Sequence, residues 1–70
     1  MGRAYLRIHE SSRGKQYPTN VDLYTDEGGQ PSGEAWMMVH IDFFADILPD
    51  VYQRLKNGKD TIVNITLVEK

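Results

Sequence analysis

The chain contains no cysteine among its 70 residues, and this absence limits how a chain of this size can be stabilised. A domain this small buries only about 60% of the surface of its unfolded chain, so many such domains depend on disulfides or metals. Without cysteine, no disulfide framework, thiolate zinc site or cysteine nucleophile can form. We therefore expect one domain, residues 1–70, that is stabilised by packing, by a partner or by self-association.

Hydrophobic periodicity predicts the element order β-β-β-α-β. Apolar and polar residues alternate over 3–10, 21–24 and 61–69, whereas residues 35–44 are apolar on both faces, and each segment is a predicted strand. Residues 26–33, with three glycines and one proline, predict a mobile loop that closes a hairpin. The expected fold class is α+β, a mostly antiparallel four-stranded sheet with one helix, or a small β-barrel-like fold that the helix partly closes.

The predicted helix lies between Asp46 and Gly58. Asp46 is placed as the N-cap, so that Pro49 falls in the first turn, where no intrahelical N–H bond is lost. A start at Asp42 would put Pro49 in the helix interior and break the helix. A competing interpretation is a hairpin that turns at Asn57 and Gly58, because Asn-Gly is a strong type I′ turn signal.

The charged residues are segregated along the chain, although the formal net charge is only −2. Residues 1–15 carry four cations and one acid, and residues 54–70 carry four cations and two acids. Residues 16–53 carry seven acids and no lysine or arginine. If the two ends of the chain lie side by side, one face of the fold is basic. The alternative is that these are ordinary solubilising charges.

Cations and aromatic rings alternate on the outward face of the first predicted strand and in the loop that follows it. Cationic groups neutralise phosphates and rings stack on bases, at ~1–3 kcal/mol per base, so this combination suits a single-stranded nucleic acid. The structural alternative is that these side chains only cover an exposed sheet face and that the tryptophan belongs to the core. The candidate nucleic-acid-binding residues are Arg3, Tyr5, Arg7, His9, Arg13, Lys15, Tyr17 and Trp36.

No group of residues predicts catalysis. There is no P-loop, and no nucleophile, base and oxyanion site are assembled. His40 and Asp42 form the only histidine–carboxylate pair close in sequence, which is too few ligands for a structural zinc site. We therefore expect a non-enzymatic binding protein without metal or cofactor. No apolar stretch is long enough to span a membrane, and the N-terminus does not resemble a signal region, so we expect a cytoplasmic protein.

The second half of the chain resembles the OB-fold single-stranded-DNA-binding proteins. In that family a Trp-bearing strand leads into an aromatic-Gly/Ala turn, a short amphipathic helix and a Val/Ile-rich strand. The resemblance implies that Trp36 stacks on bases and that Lys15 and Tyr17 line the binding groove. With four predicted strands instead of five, such a barrel would be open or completed by a second subunit. The matching segments are Glu34-Ala35-Trp36, Phe43-Phe44-Ala45, residues 51–59 and residues 61–65. In the first half of the chain, Gly14-Lys15-Gln16-Tyr17 also resembles a Gly-Lys-x-Tyr loop of small phage-type single-strand binders.

A second hypothesis is a protein-interaction module or an inhibitor of the kind that phages and other mobile elements encode. It rests on the acidic middle of the chain and on the apolar strand around Trp36, which could dock on a basic, nucleic-acid-handling enzyme. A homodimer formed through the Trp36 strand is compatible with both hypotheses. The candidate interface residues are Trp36, Met38, Asp42, Asp46 and Asp50.

Overall fold

The structure, a computed structural model, describes residues 2–65, with the side chains of residues 3–64. Four strands form one antiparallel sheet in the order β3-β2-β1-β4, and two short helices connect β3 to β4. This arrangement confirms the predicted α+β class. The elements are β1 (Gly2–Ile8), a 3₁₀ turn (Glu10–Ser12), β2 (Asn20–Glu27), β3 (Gln30–His40), α1 (Phe43–Ile47), α2 (Pro49–Lys56) and β4 (Thr61–Ile65).

The core lies between the helices and one face of the sheet. Leu6 of β1 is opposite Leu23 of β2 and Thr61 of β4, and it is fully buried. Leu55 of α2 and Phe44 of α1 are also buried in this cluster. The period of two in β1 therefore separates a buried face from an outward face, as its alternation predicts.

The helical region begins earlier than predicted and is split in two. Asp42, not Asp46, precedes α1, and Asp46 lies inside that helix, so the predicted N-cap is wrong. The interruption follows from Pro49, because the residue before a proline is disfavoured in helical geometry. Leu48 accordingly adopts φ −140° and ψ 70°, and Pro49 takes the first position of α2, where its missing N–H costs nothing.

The segment Asn57-Gly58 ends a helix and does not form a hairpin turn. Gly58 has φ +78°, and the N–H of Lys59 donates to the carbonyl of Arg54 at 2.9 Å, which closes the end of α2. The competing hairpin interpretation is therefore wrong. With eight residues, α2 is the longest helix among residues 2–65 and far shorter than the ~20 residues that a membrane-spanning helix requires.

The loop between β2 and β3 is shorter than predicted. The strands continue to Glu27 and resume at Gln30, so the turn consists of Gly28 and Gly29, with φ of +62° and +90°. Glycine adopts these angles without strain, which lets the hairpin close in two residues. The fourth predicted strand is described as far as Ile65, and residues 66–69 of that prediction lie outside the described residues.

The long strand β3 does not stay in register with β2. Thr25 is opposite Ser32, and Leu23 is opposite Met37, so that residues 33–36 of β3 are opposite Tyr24 alone. A bulge of this kind bends the strand. It overlaps the start of the apolar segment, because Trp36 is its last residue.

Candidate functional site

The outward face of β1 presents the residues that the sequence pattern placed there. Arg3 is exposed, and Tyr5, Arg7 and His9 are partly exposed, whereas the intervening residues are buried under the helices. The described helices lie on the other face of the sheet. The predicted orientation of this strand is therefore seen in the structure.

Carboxylates from other elements of the structure pair with most of the side chains on this outward face. Arg3 donates from Nε and Nη2 to Asp26 Oδ2, at 3.2 Å each. His9 Nδ1 lies 2.9 Å from both carboxylate oxygens of Asp22, which is a buried residue. Such pairs use the donors that a phosphate would otherwise need. Arg3 and His9 are therefore poorly placed to recruit a polyanion.

Asp60, in the turn before β4, receives the remaining two side chains of this face. Tyr5 donates its hydroxyl to Asp60 Oδ2 at 2.7 Å, and Arg7 Nε lies 4.0 Å from the same oxygen. The hydrogen bond to this carboxylate raises the pKa of Tyr5 above 10.0, with smaller contributions from burial and from the Asp60 charge. Arg7, at the outer limit of ion pairing, keeps part of its guanidinium available.

A basic cleft of about 460 Å³ lies at the end of the sheet where β1 leads into its loop. Four cations line it, namely Arg7, Arg13, Lys15 and Lys56, and Asp60 is its one carboxylate among the described residues. Within that part of the chain, no carboxylate lies within 4.0 Å of Arg13, Lys15 or Lys56. The first fifteen residues and the end of α2 therefore meet, which is the condition under which the charge distribution predicts a basic face.

The loop after β1 is fixed to the sheet by hydrogen bonds. Ser12 is buried, and its Oγ accepts the N–H of Asn20 at 3.1 Å. Arg13 donates from Nε to the carbonyl of Ile8 at 3.1 Å. Gly14 then turns the chain with φ +77°. These hydrogen bonds hold Arg13 and Lys15 at the same cleft without a disulfide.

Two tyrosines flank the cation at the end of α2. Lys56 Nζ lies 5.9 Å from the ring centroid of Tyr17 and 5.4 Å from that of Tyr52. Tyr17 is 67% exposed, so the ring is open to solvent beside the cleft. An exposed ring next to several cations can stack on a planar group while the cations hold an anion.

The structure does not bring Trp36 to this site. Trp36 lies on β3, two strands away from β1, and is exposed, so that it is neither a core residue nor a lining residue of the cleft. The acidic candidates Asp42, Asp46 and Asp50 are exposed on the helical region, and Met38 is exposed on β3. The eight candidate binding residues therefore lie in three places: on the outward face of β1, where carboxylates pair with them, in or beside the cleft, and on the edge strand β3.

Sequence reasoning missed Lys56 and Asp60 as members of the site. Lys56 falls in the last turn of the helix predicted between Asp46 and Gly58, where a cation favours the helix dipole, and nothing in that position groups it with the first strand. Its i+2 neighbour Gly58 turns the chain back toward β4, and this reversal brings both Lys56 and Asp60 to the end of β1. A lysine two residues before a helix-ending glycine was the available signal.

Comparison with models of known protein families, with curated proteins and with solved structures yielded no match. The resemblance to OB-fold proteins therefore stays a prediction. Over residues 2–65, no cluster of three or more His, Asp or Glu side chains is arranged to hold a metal ion. The interpretation of the site accordingly rests on its own geometry and charge.

Proposed function

We propose that this protein is a non-enzymatic binding protein and that its basic cleft holds the backbone of a single-stranded nucleic acid. The observation that carries the proposal is the convergence of Arg7, Arg13, Lys15 and Lys56 on one cleft that contains a single described carboxylate. Several cations in one concave site attract a polyanion more strongly than the same charges spread over a surface.

The exposed ring of Tyr17 favours a single strand over a duplex. Base stacking on an aromatic side chain requires an unpaired base, and it contributes ~1–3 kcal/mol per base. Lys56 approaches the Tyr17 ring at 5.9 Å, so a base on that ring would lie beside a cation able to hold its phosphate. In this proposal Arg3 and His9 do not bind the ligand, because Asp26 and Asp22 already engage them.

The proposed site is compatible with the resemblance to OB-fold proteins. In that fold, the loop between the first two strands takes part in oligonucleotide binding, and here the corresponding loop carries Arg13, Lys15 and Tyr17. The helices between β3 and β4 occupy the place that the resemblance implies. The base-stacking role that it implies for Trp36 is not part of this proposal.

The direct test is the affinity for a fluorescent single-stranded oligonucleotide, measured by anisotropy over a range of salt concentrations. Lys15→Ala and Lys56→Ala should each weaken binding and flatten the slope of log K against log[salt] by ~0.7 per lost phosphate contact. Tyr17→Ala should weaken binding, whereas Tyr17→Phe should retain it, because the ring and not the hydroxyl stacks.

Arg3→Gln is the matched control for these lysine variants. It also removes one positive charge, but from a guanidinium that Asp26 compensates and that does not line the cleft. We expect this variant to bind almost like the wild type. Equal losses in Arg3→Gln and Lys15→Ala, or no binding by the wild type at low salt, would contradict the proposal.

A second candidate is a protein-binding module that uses the helical region. Phe43 and Ile47 are 60% and 59% exposed, one helical turn apart on α1, and the exposed acids Asp42, Asp46 and Asp50 each lie within three residues of one of them in sequence. An apolar patch bordered by carboxylates suits a basic protein surface. Loss of a nuclease-resistant, stoichiometric complex on Ile47→Asp, with oligonucleotide binding absent in the wild type, would favour this candidate.

A further inference from the structure

Strand β3 has an open edge that monomeric proteins usually protect. It is the terminal strand of the sheet in the order β3-β2-β1-β4. Natural edge strands are commonly blocked by lysines, prolines or inward-pointing charges. Residues 35–39, Ala-Trp-Met-Met-Val, contain none of these, although the bulge at residues 33–36 overlaps the start of this segment.

The backbone groups available at this edge follow from the pairing with β2. Ile41 donates its N–H to the carbonyl of Thr19 at 2.7 Å, so Ile41 is directed toward β2. Because hydrogen-bonded positions alternate in an antiparallel pair, Val39 and Met37 are directed toward β2 as well. The N–H and C=O groups of Met38 and His40 are therefore directed toward the open edge.

The side chains on both faces of this segment are apolar and accessible. Trp36, Met37 and Met38 are 47%, 48% and 54% exposed. Met37 is opposite the buried Leu23, yet about half of its own surface is exposed. A new strand added at the edge would cover part of all three side chains and satisfy the open backbone groups.

We propose that the occupant of this edge is a second copy of the chain, paired antiparallel through β3 with Met37 opposite Met37. In this register Trp36 is opposite Met38 of the second copy, and Ala35 is opposite its Val39. Glu34 is opposite His40, whose Nδ1 accepts the N–H of Asp42 at 3.1 Å, so that Nε2 is the donor available to the Glu34 carboxylate. The two-fold symmetry makes this pair twice. The two sheets then join into one sheet of eight strands.

The side-chain partner of Glu34 selects this register among those that pair the same edge groups. If Met38 were opposite Met38, Glu34 would be brought toward Asp42, which is a repulsive pair of acids. If Trp36 were opposite Trp36, Glu34 would be opposite Met38, so that its carboxylate would have no side-chain donor. The register centred on Met37 also puts each methionine sulfur at position 38 beside an indole, a favourable contact. This inference does not depend on the proposed nucleic-acid binding.

The test is sedimentation equilibrium of the full chain over a wide concentration range. Met38→Pro removes an N–H that is directed toward the open edge and not toward β2, and proline is tolerated at such positions. We expect its dimer dissociation constant to rise at least about ten-fold, which corresponds to ~1.4 kcal/mol. Its circular dichroism and thermal unfolding should stay close to those of the wild-type monomer.

Met38→Lys keeps the test decisive if the proline variant does not fold. Its matched control is Ile62→Lys, which makes the same change in charge at an exposed apolar residue of β4, the other edge strand. Met38→Lys should dissociate the dimer, and Ile62→Lys should not. Because Trp36 is the single tryptophan, its emission should also shift to longer wavelength as the wild-type dimer is diluted.

The register has its own test. Glu34→Lys should weaken the dimer, and the double variant Glu34→Lys, His40→Glu should restore it. Failure of the double variant to restore association would overturn the register. A wild-type chain that stays monomeric at all concentrations, or a dimer that Ile62→Lys dissociates and Met38→Lys does not, would overturn the proposal.

Discussion

Removing the one described carboxylate of the cleft should strengthen its binding of anions. The change is Asp60→Asn, which alters the charge of the lining from four cations and one acid to four cations and none. The fold should tolerate it, because the asparagine carbonyl can still accept the hydroxyl that Tyr5 now donates to Asp60. Most substitutions of an ion-pairing residue weaken function, so a predicted gain is a demanding test.

The magnitude follows from Coulomb's law. Asp60 Oδ2 is 4.0 Å from Arg7 Nε, so a phosphate held by Arg7 would lie about 6 Å from the Asp60 carboxylate. Two unit charges at this distance repel by ~0.7 kcal/mol in bulk water and by ~1.4 kcal/mol at half that dielectric constant. Affinity at low salt should therefore rise about three-fold to ten-fold, and the gain should shrink toward physiological salt.

Anisotropy titration of a single-stranded oligonucleotide at two salt concentrations measures this gain. The matched control is Asp26→Asn, which changes the net charge by the same amount at the pair with Arg3, toward the other end of the sheet. The control should show a much smaller gain than Asp60→Asn. Equal gains would mean that only the overall charge matters, and unchanged or weaker binding by Asp60→Asn would refute the cleft as the anion site.

Three further predictions concern stability. Leu55→Ala should lower the free energy of unfolding in urea by about 2–5 kcal/mol, because the side chain is fully buried between α2 and the sheet; a loss below ~1 kcal/mol would contradict this packing. Gly58→Ala should cost about 1 kcal/mol through its φ of +78° alone, since no atom obstructs the added methyl group; an unchanged unfolding midpoint would contradict that conformation. Tyr5→Phe should cost about 1 kcal/mol near neutral pH. Because folding raises the pKa of Tyr5, the stabilisation from its hydroxyl is complete below pH 10.0 and is lost as the pH rises through the folded pKa. The difference in unfolding free energy between the wild type and Tyr5→Phe, measured in urea, should therefore shrink at alkaline pH.

The sequence of strands along the chain and the buried face of β1 were predictable because they depend on local periodicity, whereas the order of the strands in the sheet was not predicted. The alternation of Ala4, Leu6 and Ile8 identifies the buried face of β1 without knowledge of its neighbours. The start of the helical region was not predictable in the same way, because two local signals compete there. A carboxylate at Asp46 suggests a cap, whereas the restriction that Pro49 places on Leu48 divides the helical region into two helices and leaves Asp46 inside the first.

The candidate site was predictable only in part, because its charges come from residues distant in sequence. The alternation of β1 predicts that Arg3 and His9 lie on the outward face, but it does not predict that Asp26 and Asp22 lie beside them. Those pairs depend on the register of β1 and β2, in which Arg7 is opposite Asp22 and Ala4 is opposite Thr25. A basic segment in a sequence is therefore a weak predictor of a basic surface when the next strand carries acids at matching positions.

The two proposals together make a prediction about the length of the ligand. Four cations can hold only a few phosphates, so one cleft alone should bind weakly. In a dimer joined through β3, five strand spacings of about 4.8 Å separate the two β1 strands, which places the clefts at least ~24 Å apart. An oligonucleotide long enough to reach both clefts should gain affinity through its second, intramolecular contact. The wild-type protein should therefore show a steep rise in affinity above a threshold length, and Met38→Lys, with intact clefts but no dimer, should not. Identical length dependence in the two proteins would mean that at most one cleft engages each strand, and that dimerisation serves another purpose.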